Sequence, residues 1–315
     1  MPANLPIPLT LGQYPTPLEE LPRFRGALGG GPRIFIKRDD LTGPGFGGNK
    51  VRKLEYILAD AISLRAEVVI TTGGETSNHC RITAALCAKL GIHCVLVLNR
   101  SPRPAMPASR YLDELYGAEI VTVEGRLDRK PTMARLAAEF QNKGRNAYQI
   151  PLGASTPLGA LGYADAVGEL KSQGLNPDYI FHSSSSGGTQ SGILAGCIVH
   201  GLSSQVVGVS PDDPSSGIAG EVRGIVAGME AMLSRPIPCD PFILDGFIGD
   251  GYGIATAASE AATSLLARTE GIVLDPAYTA KAMAALIAWN RDGRFQEQDK
   301  VLFWHTGGQL ALFSR

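Results

Sequence analysis

Gly43-Pro-Gly-Phe-Gly-Gly-Asn-Lys50 is the stretch on which the rest of the sequence turns. A strand-like run, Arg33 to Lys37, precedes it, and a helical segment follows with Val51, Leu54, Leu58 and Ile62 on one stripe. A glycine-dense turn between strand and helix lets backbone crowd a ligand. Gly43, Gly45 and Gly48 satisfy the G-x-G-x-x-G dinucleotide spacing of an oxidoreductase, but the next strand ends in Thr71-Thr72-Gly73, without the acid that would hold a ribose hydroxyl. A phosphate loop ending in Gly-Lys-Ser or Gly-Lys-Thr fails too, because Asn49 stands before Lys50 and Val51 after it. The remaining chemistry is a covalent lysine, whose amine loses its charge readily in a low-dielectric pocket and becomes a nucleophile able to condense with a carbonyl. A lysine at a helix start also opposes the positive end of the dipole, which is mildly unfavourable without a purpose. On this stretch alone, a covalent lysine and a solvated one stand level.

Outward from it, apolar β-branched runs alternate with helical segments along the chain. Arg33 to Lys37, Glu67 to Thr71, His93 to Leu98, Glu119 to Val123, Ala147 to Ile150, Tyr179 to Ser183, Gln205 to Val209 and Val301 to His305 read as strands. Several are continuously apolar, as parallel strands covered on both faces are. Helical period marks Val51 to Ser63 and Arg81 to Leu90, where Ile82, Ala85, Leu86 and Leu90 share a face. The alternation predicts an α/β fold of open, twisted, largely parallel sheets, with ligands outside the carboxyl ends of the strands. Glycine, 38 of 315 residues or about 12% against a usual ~7%, gathers behind those strands. Asp212 to Gly220 reads as a mobile surface loop.

At 315 residues the chain is long for one core and comfortable for two domains. With 29 basic and 30 acidic residues it has a net charge of -1, which lacks the footprint of a nucleic-acid or anionic-membrane partner. Apolar runs such as Cys94 to Leu98 and Val301 to Trp304 are far short of the roughly 20 residues of a membrane span. Met1 to Thr10 has no basic region ahead of an apolar stretch and does not read as a secretory signal. Five scattered cysteines without a C-x-x-C pair argue against a disulfide framework and a structural metal, and fit a reducing cytoplasm as small buried residues.

Three more loops follow strands. Thr72-Gly-Gly-Glu-Thr-Ser-Asn-His79 opens a helix, where free N–H groups and the dipole suit a substrate carboxylate; plain capping by Thr76 or Ser77 explains it equally. His182-Ser-Ser-Ser-Ser-Gly-Gly-Thr-Gln190 reads as a phosphate cup, with backbone donors at Gly187, Gly188 and Thr189 and hydroxyls at Ser185 and Thr189. Trp304-His-Thr-Gly-Gly308 closes the last strand, and Asp275-Pro-Ala-Tyr-Thr279 opens a helix with Tyr278 placed to stack or move protons.

Taken in order, these segments resemble the tryptophan-synthase-β-like fold type of pyridoxal-phosphate (PLP) enzymes, fold type II. Within it they resemble the family of D-cysteine desulfhydrase and 1-aminocyclopropane-1-carboxylate deaminase, with D-cysteine desulfhydrase the nearer. The resemblance runs through Tyr14-Pro-Thr-Pro-Leu18, Ile36-Lys-Arg-Asp-Asp-Leu-Thr42, Gly47-Gly-Asn-Lys-Val-Arg-Lys-Leu-Glu55, Ser77-Asn-His79, Gly187-Gly-Thr-Gln190, Gly251-Tyr-Gly253, Leu274-Asp-Pro-Ala-Tyr278 and His305-Thr-Gly-Gly308. It implies a large cofactor domain from residues 1–47 and 153–315, a small α/β domain from 48–152, a homodimer and a small amino-acid substrate. It implies that Lys50 carries PLP, that Ser185, Ser186, Gly187, Gly188 and Thr189 hold its phosphate, and that Asn78 and Thr306 also face it. Ser77, Asn78 and His79 would meet the substrate carboxylate, with Thr76, Tyr252, Tyr278 and Thr279 around the reacting face and Lys50, Ser77 and Tyr278 catalytic.

The same family separates its activities at a few positions. Its cyclopropane deaminases carry Glu after the reactive-face tyrosine, Gln after Ser-Asn, and Leu before the last two glycines; here stand Thr279, His79 and Thr306. That pattern implies β-elimination from a sulfur-substituted amino acid, D-cysteine first and L-cysteate next, ahead of ring opening, since a hydroxyl beside the ring nitrogen makes a weaker electron sink than a carboxylate would. Thr76, preceded by Glu75, departs from the Gln that desulfhydrases and L-cysteate sulfo-lyases commonly carry before Ser-Asn-His, and leaves a differently shaped pocket. A non-catalytic PLP-binding module is the reading from another class; it needs Lys50 and the phosphate cup but not Ser77 to His79 or Tyr278.

Overall fold

The computed structural model describes residues 5–100 and 106–314, so Met1 to Asn4 of the N-terminal stretch lie outside the described residues. In chain order its strands are β1 (Leu18–Glu20), β2 (Arg33–Arg38), β3 (Val68–Gly74), β4 (His93–Asn99), β5 (Glu119–Val123), β6 (Ala147–Gln149), β7 (Tyr179–Ser183), β8 (Gln205–Val209), β9 (Phe242–Leu244) and β10 (Lys300–His305). Six of them form one sheet in the order β1-β2-β10-β7-β8-β9, parallel except for β1 against β2. The other four form a parallel sheet, β5-β4-β3-β6. β10, late in the sequence, lies between β2 and β7. All eight runs read as strands are strands; β1 and β9, three residues each with exposed positions, carry no periodic signal.

The helix Lys50–Ser63 joins the two sheets. Val51, Leu54, Ile57 and Leu58 pack with Val69, Ile82 and Leu96 of the smaller sheet's core, while Tyr56 packs with Leu161 and Val222 on the other side. Ile62, placed on the buried stripe from its spacing, is 43% exposed, and Ala61 takes the inward position instead. Behind the helix, Arg52 meets Asp39 at 2.8 Å and Glu169 at 3.0 Å. Tyr163 Oη and Trp304 Nε1 donate to Asp39 Oδ2 at 2.7 and 2.8 Å. Burial alone would raise the Asp39 carboxyl, but the Arg52 charge and these donors outweigh it and hold it below the ordinary carboxylate value. A satisfied buried network thus fixes the helix that begins with Lys50 against β2 and β10.

The stretch Asp212 to Gly220 is corrected from a mobile loop. Its second half opens the helix Ser215–Leu233, because Ile218, Ala219, Val222 and Ile225 form a buried stripe at helical spacing that outweighs the serine and glycine content. All five cysteines are free; Cys80 and Cys87 from the helix Asn78–Leu90 and Cys94 from β4 meet in one apolar core. Among the described residues no helix is long and apolar enough to cross a membrane, and no His, Cys, Asp and Glu cluster is placed to hold a metal.

Candidate active site

Loops leaving the carboxyl ends of β2, β3, β7 and β10 surround one cavity of about 1170 Å³, somewhat larger than the usual ~300–1,000 Å³ of a ligand pocket. The loops are held together by backbone. Gly307, at φ +93°, runs so close to Gly48 that a Cβ on Gly307 would lie 2.7 Å from Gly48 Cα. Asn49 N donates to Thr306 O at 3.0 Å, and Asn49 Nδ2 to Thr189 Oγ1 at 2.9 Å. The strand-to-helix turn at Lys50 is therefore clamped by the last loop on one side and the serine loop on the other.

Lys50 opens onto this cavity, and its amine lies beside that of Lys53, one turn along the same helix. Burial pushes Lys50 down to about 8 and, together with the Lys50 charge, pushes Lys53 down further. Lys53 Nζ donates to Ser155 Oγ at 3.2 Å, and Ser155 and Ser186 share a hydrogen bond at 2.7 Å. Among the described residues no carboxylate pairs with either amine. Gly188 starts the helix Gly188–His200 just there: a Cβ on it would stand 2.8 Å from Lys53 Nζ and 2.7 Å from Ser155 Oγ. Ser184 Oγ is buried without a partner on the same wall. Two uncompensated amines, an orphaned hydroxyl and a helix N-terminus with no room for a side chain fit an anionic phosphate beside a reactive amine. Ser185, Ser186, Gly187, Gly188 and Thr189 all line the cavity, the Ser185 hydroxyl turning to Asp212.

Thr76, Ser77, Asn78 and His79 line the facing wall. Ser77 caps its helix, its Oγ accepting from Cys80 N at 3.2 Å. Thr71 Oγ1 donates to Ile150 O at 2.8 Å, so its 2.7 Å contact with His79 must be accepted from Nε2–H, which leaves Nδ1 bare and unpartnered. Burial, with the Lys50 and Lys53 charges nearby, keeps His79 neutral. Tyr278 and Tyr252 share a hydrogen bond at 2.5 Å. Burial raises Tyr278 well above its ordinary value, so the phenol keeps its proton. Asp275 aims Tyr278 by accepting from Ala277 N and Tyr278 N, both at 2.9 Å. Thr306 lines the cavity; Thr279 does not. Thr279 is corrected as a substrate contact: it is fully buried, and its Oγ1 donates to Asp275 Oδ1 at 2.6 Å as part of the helix cap.

Lys53, Ser155 and Arg129, to which the sequence assigns no role, also line or support the cavity, and Asp275 of the Asp275 to Thr279 segment lines it too. Lys53 was within reach, standing three residues after Lys50 on one helical face. Ser155 and Arg129 lie in segments of ordinary composition.

Fold and site together define an α/β protein whose serine loop and helix start face a buried lysine across one cavity, an arrangement that fits a phosphate-bearing cofactor. Over residues 9–307 the chain matches the family described as pyridoxal-phosphate dependent enzyme, and it belongs to that family. Its cofactor is PLP, and its fold is fold type II. A crystal structure described as an ACC deaminase homologue is similar at 34% identity and a TM-score of 0.90, covering 97% of this chain and 93% of that one. A fungal L-serine ammonia-lyase from Rhizomucor miehei (17% identity, TM-score 0.68, 93% of each chain) and the processed form of threonine deaminase isoform 2 from Solanum lycopersicum (16%, 0.69, 93% of this chain and 79% of that one) share the fold.

Proposed function

We propose that this enzyme is a carbon-sulfur lyase that removes a β-substituent from a small sulfur-substituted amino acid. D-cysteine, giving pyruvate, hydrogen sulfide and ammonia, is the first substrate to test and L-cysteate the second. The observation that carries this reading is the Lys50 amine, depressed by burial to about 8, in one cavity with the Ser77 helix start and the Tyr252–Tyr278 phenol pair.

Bound PLP supplies the electron sink for charge that develops at Cα. The helix start at Ser77 and Asn78 receives the substrate carboxylate through free N–H groups and the helix dipole. Lys50 Nζ, whose charge is easily lost, is the base that takes the Cα proton. Tyr278, protonated and backed by Tyr252, hands a proton from its phenol oxygen to the departing group. The Cβ–S bond breaks with its electron pair on sulfur, and the unsaturated amine left behind hydrolyses to pyruvate and ammonium. Thr279 in place of glutamate, with its hydroxyl held by Asp275, weighs against the ACC deaminase activity after which the structure similar at 34% identity is described.

Purified holoenzyme incubated with D-cysteine, L-cysteine, L-cysteate and 1-aminocyclopropane-1-carboxylate tests this. Pyruvate from a sulfur amino acid supports it. Turnover of the cyclopropane alone replaces it with ring opening, and a spectral shift on amino-acid addition without product identifies a non-catalytic PLP-binding protein. A cytoplasmic homodimer belongs to the same reading, and sedimentation of the purified protein checks the dimer.

A further inference from the structure

Arg129 stands on the cavity wall at the first position of the helix Arg129–Asn142 and is only 9% exposed. Its Nε is buried without a hydrogen-bond partner, and among the described residues no ion pair involves it. Three features make that position costly. The guanidinium is partly desolvated, with Nε fully buried, it sits at the positive end of a helix with no acidic residue in its first turn, and a second arginine, Arg126, is close enough to repel it. Asp128, the residue before it, is spent on the turn, accepting from Gly125 N at 2.9 Å. Arg126 also lines the cavity, with its guanidinium 5.7 Å from the Tyr252 ring, and the carboxylate that faces it is Asp212. Arg129 feels Tyr252 on one side and Cys80, next to the Ser77–Asn78 wall, on the other. A largely buried cation that has no ion-pair partner among the described residues, opening into this cavity, is placed to take an anion that a substrate brings.

We propose that Arg129, with Arg126 at its side, is a second anion site in this cavity, and that the natural substrate is an α-amino acid whose β-substituent carries its own permanent negative charge. This rests on the β-elimination reading above and narrows it from a thiol to a sulfur oxyanion. With a β-sulfonate the step balances as follows: the Cα proton passes to Lys50 Nζ, and the Cβ–S bond breaks with its electron pair on sulfur. Sulfite leaves and, once protonated, is bisulfite; water then converts the remaining three-carbon amine to pyruvate and ammonium. Arg129 is a specificity residue in this scheme. It holds charge that the sulfur group carries before, during and after bond breaking.

The test measures binding as well as turnover. 3-Sulfopropanoate has the carboxylate and sulfonate but no amine, so it cannot react with the cofactor; propanoate is its partner without the sulfonate. Calorimetric titration of wild-type holoenzyme is expected to give at least about tenfold tighter binding of 3-sulfopropanoate, the usual worth of a charge-assisted contact. Arg129→Met is expected to remove that preference and leave propanoate unchanged, while Arg129→Lys restores part of it. In turnover, Arg129→Met is expected to lower kcat/KM for L-cysteate about 10- to 100-fold more than it lowers kcat/KM for D-cysteine. Equal affinity of the wild type for the two probes overturns the proposal. So does an Arg129→Met enzyme, folded by its melting curve, that weakens both probes alike, since Arg129 then serves the common carboxylate. If the wild type prefers 3-sulfopropanoate yet yields pyruvate from none of the amino acids, the anion site stands and the β-elimination reading falls.

Discussion

Arg81 Nη1 donates to Asn78 Oδ1 at 2.7 Å, one helical turn away, and so fixes the orientation of the Asn78 amide on the cavity wall. Arg81 is itself fully buried and tied to Gly45 O at 2.8 Å, in the glycine stretch ahead of Lys50. Asn78→Ala is expected to weaken PLP binding by about tenfold through loss of one donor, with a shifted visible absorption band. Arg81→Met, though absent from the cavity wall, is expected to reproduce most of the band shift because the amide is then free to flip. A wild-type spectrum for Arg81→Met would remove its positioning role.

Condensation with the cofactor needs the neutral Lys50 amine, and burial brings that amine to about 8. The rate at which cofactor-free enzyme captures PLP is therefore expected to rise with pH and level off above about 8. Stopped-flow absorbance follows it, and a midpoint near 10, the ordinary lysine value, contradicts the buried setting. Lys50→Ala is expected to yield no borohydride-stable adduct.

Lys53 is pushed far down by burial and by the Lys50 charge, and an anion placed beside it opposes both effects. Phosphate binding next to it is therefore expected to raise it and to draw in a proton. Calorimetry of PLP binding in buffers of different ionisation enthalpy measures that uptake, and Lys53→Met is expected to abolish it and to weaken binding of inorganic phosphate to the cofactor-free enzyme.

Asp39 joins Arg52, Thr16, Tyr163 and Trp304 behind the Lys50 helix. Asp39→Asn leaves Arg52 buried with a reduced counter-charge and is expected to cost roughly 3 kcal/mol or more in urea unfolding at pH 7. Because the folded carboxyl is held below its unfolded value, this stability is present above pH ~4 and is lost as pH falls through the folded pKa. The difference between wild type and variant should therefore shrink in acid.

Asp113 behaves in the opposite sense. Both its carboxyl oxygens are buried without partners, and burial pushes it up to about 8 against the pull of Arg81 and Arg110. The folded state holds a proton that the unfolded chain releases near pH 4, so stability is expected to fall as pH rises from about 4 to about 8. Asp113→Asn removes that slope, and chemical denaturation across the range reads it directly.

The fold was legible because its long strands are covered on both faces and announce themselves as apolar runs, and because the glycine and serine loops sit directly behind them. The loops that carry Lys50, Ser77 and Gly188 could be found for that reason. Arg129 and Ser155 could not: their roles come from where the crossovers deliver them, and nothing in a local window separates Arg129 from the other exposed-looking cations around it. Thr279 misled because adjacency to Tyr278 in sequence says nothing about which of the two faces the cavity. Asp275 decides that by capping the helix between them. The Asp212 to Gly220 stretch is misleading because its serine and glycine content masks a buried apolar stripe that continues beyond it to Ile225.

Gly48 and Gly307 touch through backbone, and β10 must enter between β2 and β7 before they can. During synthesis the reactive lysine thus leaves the ribosome long before the strand that shapes its surroundings. Until β10 has emerged, the turn before Lys50 lacks its backbone clamp, and a truncated product ending before β10 is expected not to acquire the cofactor.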